Sequence, residues 1–167
     1  MLKRRILKYL TKPAPAQDIS EVTTYVDARD IGILFTENTE AMKNFGFIEK
    51  ELLADQKNIF PLMRVVKREK EKTYRYPFFT SRDITLLGKM KSDTLSKYTS
   101  RTMDMVLLLD DHPDELTKYI ASKCQCPLRI GFTSTSDINS ETLNFIVKPK
   151  HEERKHQALM DYLRMIS

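Results

Sequence analysis

Asp110, Asp111 and His112 stand together in "MVLLLDDHPDEL", where an apolar run gives way to a helix-forming one. A carboxylate beside an imidazole can move protons on a bound substrate. In open α/β sheets, ligands collect beyond the carboxyl ends of strands, which is where these residues would fall. The stretch also reads as an ordinary helix start. Asp111 or His112 suits the N-cap, Pro113 the first turn, and Asp114 and Glu115 complement the helix dipole. Capping accounts for every residue here except Asp110. The acids also disfavour a phosphate at this helix end, because like charges repel.

Two further clusters carry chemistry. "TSTSDINSE" follows the run "RIGF", and its Thr133, Ser134 and Ser136 can hydrogen-bond a sugar or phosphate. Hydroxyls are also the usual content of a loop. The second cluster is basic: "RVVKREKEKTYRY", then "FFTSRDITLLGKMKS". Lys67, Arg68, Arg75, Arg82, Lys89 and Lys91 can meet an anionic ligand or an acidic protein partner. Tyr74, Tyr76, Phe78 and Phe79 can stack on bases. Yet Tyr and Phe are common in strands, lysines protect sheet edges, and "KREKEK" reads as a solvated, hairpin-like tip. Nucleic acid is therefore not the expected partner.

Charge placement points to the same segment. Residues 1–12 carry five bases and no acid, and residues 64–101 carry eleven bases against four acids. The remainder is net acidic, so the overall +5 is local in origin.

Other chemistries lack their residues. Cys124 and Cys126 in "CQCP" are too close for an unstrained disulfide, and no second cysteine pair completes a metal site. No metal is expected, and the thiols read as free in a reducing compartment. There is no G-x-G-x-x-G, no G-x-x-x-x-G-K-[ST] and no G-x-S-x-G, and only four glycines, so no cofactor is expected. No apolar run approaches the ~18 residues of a membrane span. The start "MLKRRILKYLTKPAPAQ" is basic but has no apolar core, so the expected location is cytoplasmic.

These residues need a scaffold. At 167 residues the chain suits one α/β domain. Residues 1–12 read as an amphipathic helix with Leu2, Ile6, Tyr9 and Leu10 on one face, stopped by "KPAPA". A polar stretch runs to Arg29, with a short strand at Val22–Val26. Ile31 to Phe35 is a buried strand, followed by a helix capped by Thr36 or Asn38. Ile59–Val66 and Thr73–Phe79 read as strands, with Pro61 and Pro77 requiring edges or ends. A helix from about Ser92 to Thr99 is capped by Ser92 or Asp93. Val106 to Leu109 is apolar on both faces, as an interior parallel strand must be. A helix from Pro113 to about Lys123, strands in "PLRIGFTS" and "ETLNFIVKP", and a final helix with Leu159, Tyr162, Leu163 and Ile166 on one face complete the chain.

Two resemblances concern these elements. "FFTSRDITLLGKMKSDTL", "MDMVLLLD" and "LRIGF" resemble a family of short uncharacterised proteins from Bacteroidota. There an F-[ST]-x-[KR]-D turn leads to a G-K-x-K segment and a D-x-[LV] strand. From about Ile31 onward this implies a fold and a bacterial origin, and no chemistry. "MDMVLLLDDH" and "CPLRIGFTS" are similar to the N-terminal half of heptosyltransferase-type glycosyltransferases. Asp104, Val106, Leu109, Arg129, Ile130, Gly131 and Phe132 match, while Leu108 stands where that family often has Asp. The resemblance implies a Rossmann-like fold. Those enzymes hold their sugar nucleotide largely through a second domain that these 167 residues do not include, which weakens transferase activity as an expectation.

Strands alternating with helices of about a dozen residues imply βαβ units. The expected fold is a Rossmann-like three-layer α/β sandwich with a mostly parallel sheet over residues 30–167, preceded by a basic N-terminal extension over residues 1–29. The expected function is non-enzymatic binding through the basic central surface. One alternative is a small enzyme acting on a phosphorylated or sugar ligand, with Asp110 and His112 joined by Arg82 and residues 133–136. Another is a nucleic-acid-binding protein. The final helix or an edge strand offers a route to a homodimer.

Overall fold

The continuous apolar runs form the centre of the sheet. The computed structural model describes residues 2–11, 13, 23–132, 143–151 and 154–166. Its elements are α1 (Leu2–Leu10), β1 (Asp30–Thr36), α2 (Thr39–Ala54), β2 (Asn58–Arg64), β3 (Phe78–Phe79), a 3-10 turn at Ser81–Asp83, α3 (Asp93–Ser100), β4 (Met105–Leu108), α4 (Glu115–Lys123), β5 (Leu128–Phe132), β6 (Phe145–Val147) and α5 (Lys155–Met165).

The six strands are all parallel, in the order β3-β2-β1-β4-β5-β6. β4 lies between β1 and β5, with Leu34 opposite Leu108 and Leu108 opposite Gly131. The chain winds outward from β1 to β3, then crosses to β4 and winds the other way. The strand order therefore reverses between β1 and β4, which opens a crevice at their carboxyl ends.

Period-two alternation assigns the faces of the sheet. Ile31, Ile33, Phe35, Met105, Leu107 and Ile130 pack with Phe45, Ile48 and Leu52 of α2 and with Leu159 and Leu163 of α5. Leu34, Leu62, Val106 and Leu108 pack with Leu95 of α3, Leu116 and Ile120 of α4, and Leu7 of α1. Helices thus cover both faces, and the architecture is a Rossmann-like three-layer sandwich.

Several local readings are corrected. The buried residue of α1 is Leu7, which packs with Leu116, Tyr119 and Ile120 of α4, while Tyr9 is 90% exposed and Lys3 reaches the carbonyls of Ser81 and Ile84. Where it is described, Val22–Val26 holds no strand, and Tyr25–Asp27 form a turn. The strand expected at Thr73–Phe79 shrinks to Phe78–Phe79 and runs parallel to β2. Residues 65–77 are therefore a crossover rather than a hairpin tip.

Pro61 fits within β2 because β3 is so short. The Met63 N–H donates to Pro77 O at 2.9 Å, toward β3. Pro61, two residues earlier, faces the same edge beyond the end of β3, so its missing N–H breaks no ladder.

Candidate functional site

Two cavities open at the carboxyl edge of the sheet. The first is a groove of about 790 Å³ where the 65–77 crossover meets β3, the 3-10 turn and the start of α3. Lys67, Arg68, Arg75 and Arg82 line it, with Asp83 the one acid among the described lining residues. That acid is occupied: Asp83 Oδ2 accepts the Thr80 N–H at 2.7 Å and the Thr80 hydroxyl at 2.8 Å. A capping box thereby holds the turn that presents Arg82. Ser92, the N-cap of α3, and Thr94 add hydroxyls to the opposite wall.

Aromatic rings hold the cations in place. Arg68 lies over Phe78 at 5.4 Å and Arg75 over Tyr76 at 5.1 Å. The rings themselves serve the core. Tyr76 meets Phe45 edge-on at 4.9 Å, Tyr74 pairs with Phe78 at 4.5 Å, and Phe79 is fully buried. Burial, with Glu49 nearby, pushes the Tyr76 phenol above its ordinary value.

The second cavity is the crevice at the reversal point, about 240 Å³, between β1, β4, α2 and the start of α5. Asp110 and His112 line it together with Asp111 and Lys155. Asp110 is buried, and its carboxylate clasps Thr36. Oδ1 accepts the Thr36 N–H at 3.0 Å, and Oδ2 accepts the Thr36 hydroxyl at 2.7 Å. Lys155 is buried between Glu40 at 2.5 Å and Asp111 at 2.6 Å. Burial opposes its charge, but the hydrogen bonds it donates to Asp111 and Glu40 outweigh burial and raise its pKa.

The helix cap falls later than its expected position. Asp114, rather than Asp111 or His112, is the N-cap of α4 and accepts the Thr117 N–H at 2.8 Å. Pro113 precedes the cap, and Asp111 turns to Lys155. Asn38 caps α2, which leaves Thr36 for Asp110.

Burial raises the Asp110 pKa, the bonds from Thr36 lower it, and the charges of Asp114 and Asp111 raise it further; the net shift is upward. The native state therefore holds a proton that the unfolded chain has released, and stability falls as pH rises through that window. Asp110→Asn keeps the acceptor for the Thr36 N–H and presents an amide donor to its hydroxyl. We expect this variant to exceed the wild type in stability at pH 7, with the difference shrinking as pH falls toward the ordinary carboxylate range. Urea midpoints measured against pH check this, and a pH-independent difference would contradict it.

The candidate residues are thus divided. Arg82 belongs to the groove, and Asp110 and His112 to the crevice. Lys89 and Lys91 line neither cavity; they sit around the Ile84–Met90 bridge, with the Lys89 N–H on Thr85 Oγ1 and the Lys91 N–H on Asp83 O. Thr133, Ser134 and Ser136 lie outside the described residues. Among the matched positions of the glycosyltransferase resemblance, Val106, Leu109 and Ile130 are core. Asp104 Oδ2 accepts the N–H groups of Arg29 and Asp30, pinning the start of β1.

Sequence reasoning missed Asn44 and Lys155. Asn44 had a signal, as a lone amide in the buried stripe Ala41, Phe45, Ile48, Leu52 of α2. Lys155 had none within its charged stretch. Burial raises the thiol pKa of both Cys124 and Cys126. Among the described residues, no cluster of His, Cys, Asp or Glu is arranged to hold a metal ion.

Fold and edge cavities together define a Rossmann-like α/β protein with a fully parallel six-stranded sheet. The chain belongs to a family of unknown function (DUF6913), whose match spans residues 1–166. Comparison with curated proteins and with solved structures finds no match. Among the described residues, no helix is long and apolar enough to cross a membrane.

Proposed function

We propose that this protein is a non-catalytic binding protein that receives an anionic ligand or acidic partner in the groove beside β3. The observation that carries this reading is the convergence of Lys67, Arg68, Arg75 and Arg82 on one cavity where Asp83, the one carboxylate among the described lining residues, already caps its own turn. Four cations around a concave surface focus an attractive field on an anion. Catalysis at Asp110 has less support, because both of its oxygens already accept from Thr36. Nucleic-acid binding by base stacking has less support as well, since Phe79 is fully buried and Tyr76 packs edge-on against Phe45. A cytoplasmic location belongs to this reading and is supported by the free thiols Cys124 and Cys126.

Calorimetric titration with sodium tripolyphosphate tests the proposal. The wild type is expected to bind, with affinity falling as salt screens the exposed cations. The variant carrying Arg68→Gln, Arg75→Gln and Arg82→Gln is expected to bind at least about tenfold more weakly, as loss of charge-assisted contacts of ~1.5–3 kcal/mol each implies. Equal affinity in wild type and variant, or no binding by the wild type at low salt, overturns it.

A further inference from the structure

The crevice between β1 and β4 contains a buried polar group that has no hydrogen-bond partner among the described residues. Asn44 lies one helical turn beyond Glu40 on the face of α2 that lines the cavity. It is only 6% exposed, and its Nδ2 is buried with no hydrogen-bond partner. An amide donor left this way has lost its hydration without compensation, and native interiors rarely tolerate one. The terminal torsion of asparagine is broad, so the amide can turn to meet a ligand.

The polar atoms around Asn44 are mainly acceptors. Asp111 and Glu40 each present one oxygen to Lys155, and a carboxylate has further acceptor sites. Among the described lining residues, the carboxyl groups of Glu40, Asp110 and Asp111 outnumber the one lysine, Lys155. That surplus repels phosphate and carboxylate ligands. An ammonium ligand would suit the acids, but it has no acceptor for Asn44 Nδ2 or for the remaining N–H of Lys155. A hydroxyl is both donor and acceptor, and so answers both needs. The cavity, about 240 Å³, limits the occupant to a small molecule.

We propose that this crevice binds a small uncharged polyol of the sugar class. Its hydroxyls donate to Asp111 and Glu40, and one of its oxygens accepts from Asn44. The site is independent of the basic groove, with which it shares no lining residue.

Titration of the ¹⁵N-labelled full chain with D-ribose, D-glucose and myo-inositol, followed by NMR, tests this. At least one polyol is expected to shift the Asn44 side-chain NH₂ pair and the Thr36 and Asp111 backbone amides saturably. Asn44→Leu is expected to weaken that binding about tenfold, as loss of one buried hydrogen bond implies. If that variant does not fold, the wild-type titration decides alone. The proposal is overturned if no polyol shifts Asn44 saturably, or if ethylammonium chloride shifts the same signals at lower concentration than every polyol.

Discussion

Asp114→Ala is expected to lower stability by about 3–4 kcal/mol, the largest single effect at the carboxyl edge. Asp114 has two jobs. It caps α4 through the Thr117 N–H and hydroxyl, at 2.8 and 2.9 Å. It also receives Arg64 Nε at 3.0 Å, and the Arg64 side chain is only 5% exposed. Removing the cap alone costs about 1 kcal/mol. Removing the carboxylate also strands a buried guanidinium, whose other contacts are Val65 O and the Phe79 ring. Asp114 is itself partly exposed, so the pair lies at the lower end of the range for buried ion pairs. Arg64→Met is expected to cost less. It removes the buried charge together with its desolvation, and leaves a part-exposed carboxylate that still caps α4. For a chain of this length the expected fall in melting temperature for Asp114→Ala is roughly 10 °C. Thermal unfolding of both variants checks the order. Equal costs would show that the cap, and not the ion pair, dominates.

Gly32→Ala is expected to destabilise by about 2 kcal/mol. Gly32 sits in β1 between Phe60 of β2 and Val106 of β4. A Cβ there would stand 2.6 Å from Met103 Sδ, 2.8 Å from Tyr98 Oη and 3.1 Å from Val106 Cγ2. Met103 is flexible and can yield. Tyr98 is a rigid ring buried between α3 and the sheet, and Val106 belongs to the neighbouring strand. The missing side chain is what lets Tyr98 approach β1. Gly46 provides the opposite case in the same chain. It lies mid-helix in α2 with nothing within 4 Å of an added Cβ. Gly46→Ala is therefore expected to stabilise by about 0.5–1 kcal/mol, from helix propensity and a less flexible unfolded chain. Denaturant midpoints of opposite sign would bear this out; a Gly32→Ala midpoint equal to that of wild type would contradict it.

Local patterns made most of the architecture legible. Apolar runs on both faces marked β1 and β4 as interior parallel strands, since such strands have no wet side. Caps were readable to within a few residues, because a cap uses groups adjacent in the chain. Partnership across the chain was not readable. Ser, Thr, Asn and Asp compete for the same local N–H groups, and tertiary contacts decide among them. Thr36 was a plausible cap until Asp110, 74 residues away, drew its N–H and hydroxyl. Asp111 was another until Lys155 arrived from 44 residues downstream. The division of Arg82 from Asp110 likewise required the strand order, which places β3 at one edge of the sheet and β4 across the reversal point. The sequence by itself determined the layers, most of the strands and the basic character of the middle segment, because periodicity and composition are properties of neighbouring residues. Only the tertiary structure decided which charges pair, which amide stays unpartnered and which cations share a cavity, because those are properties of residues distant in the chain.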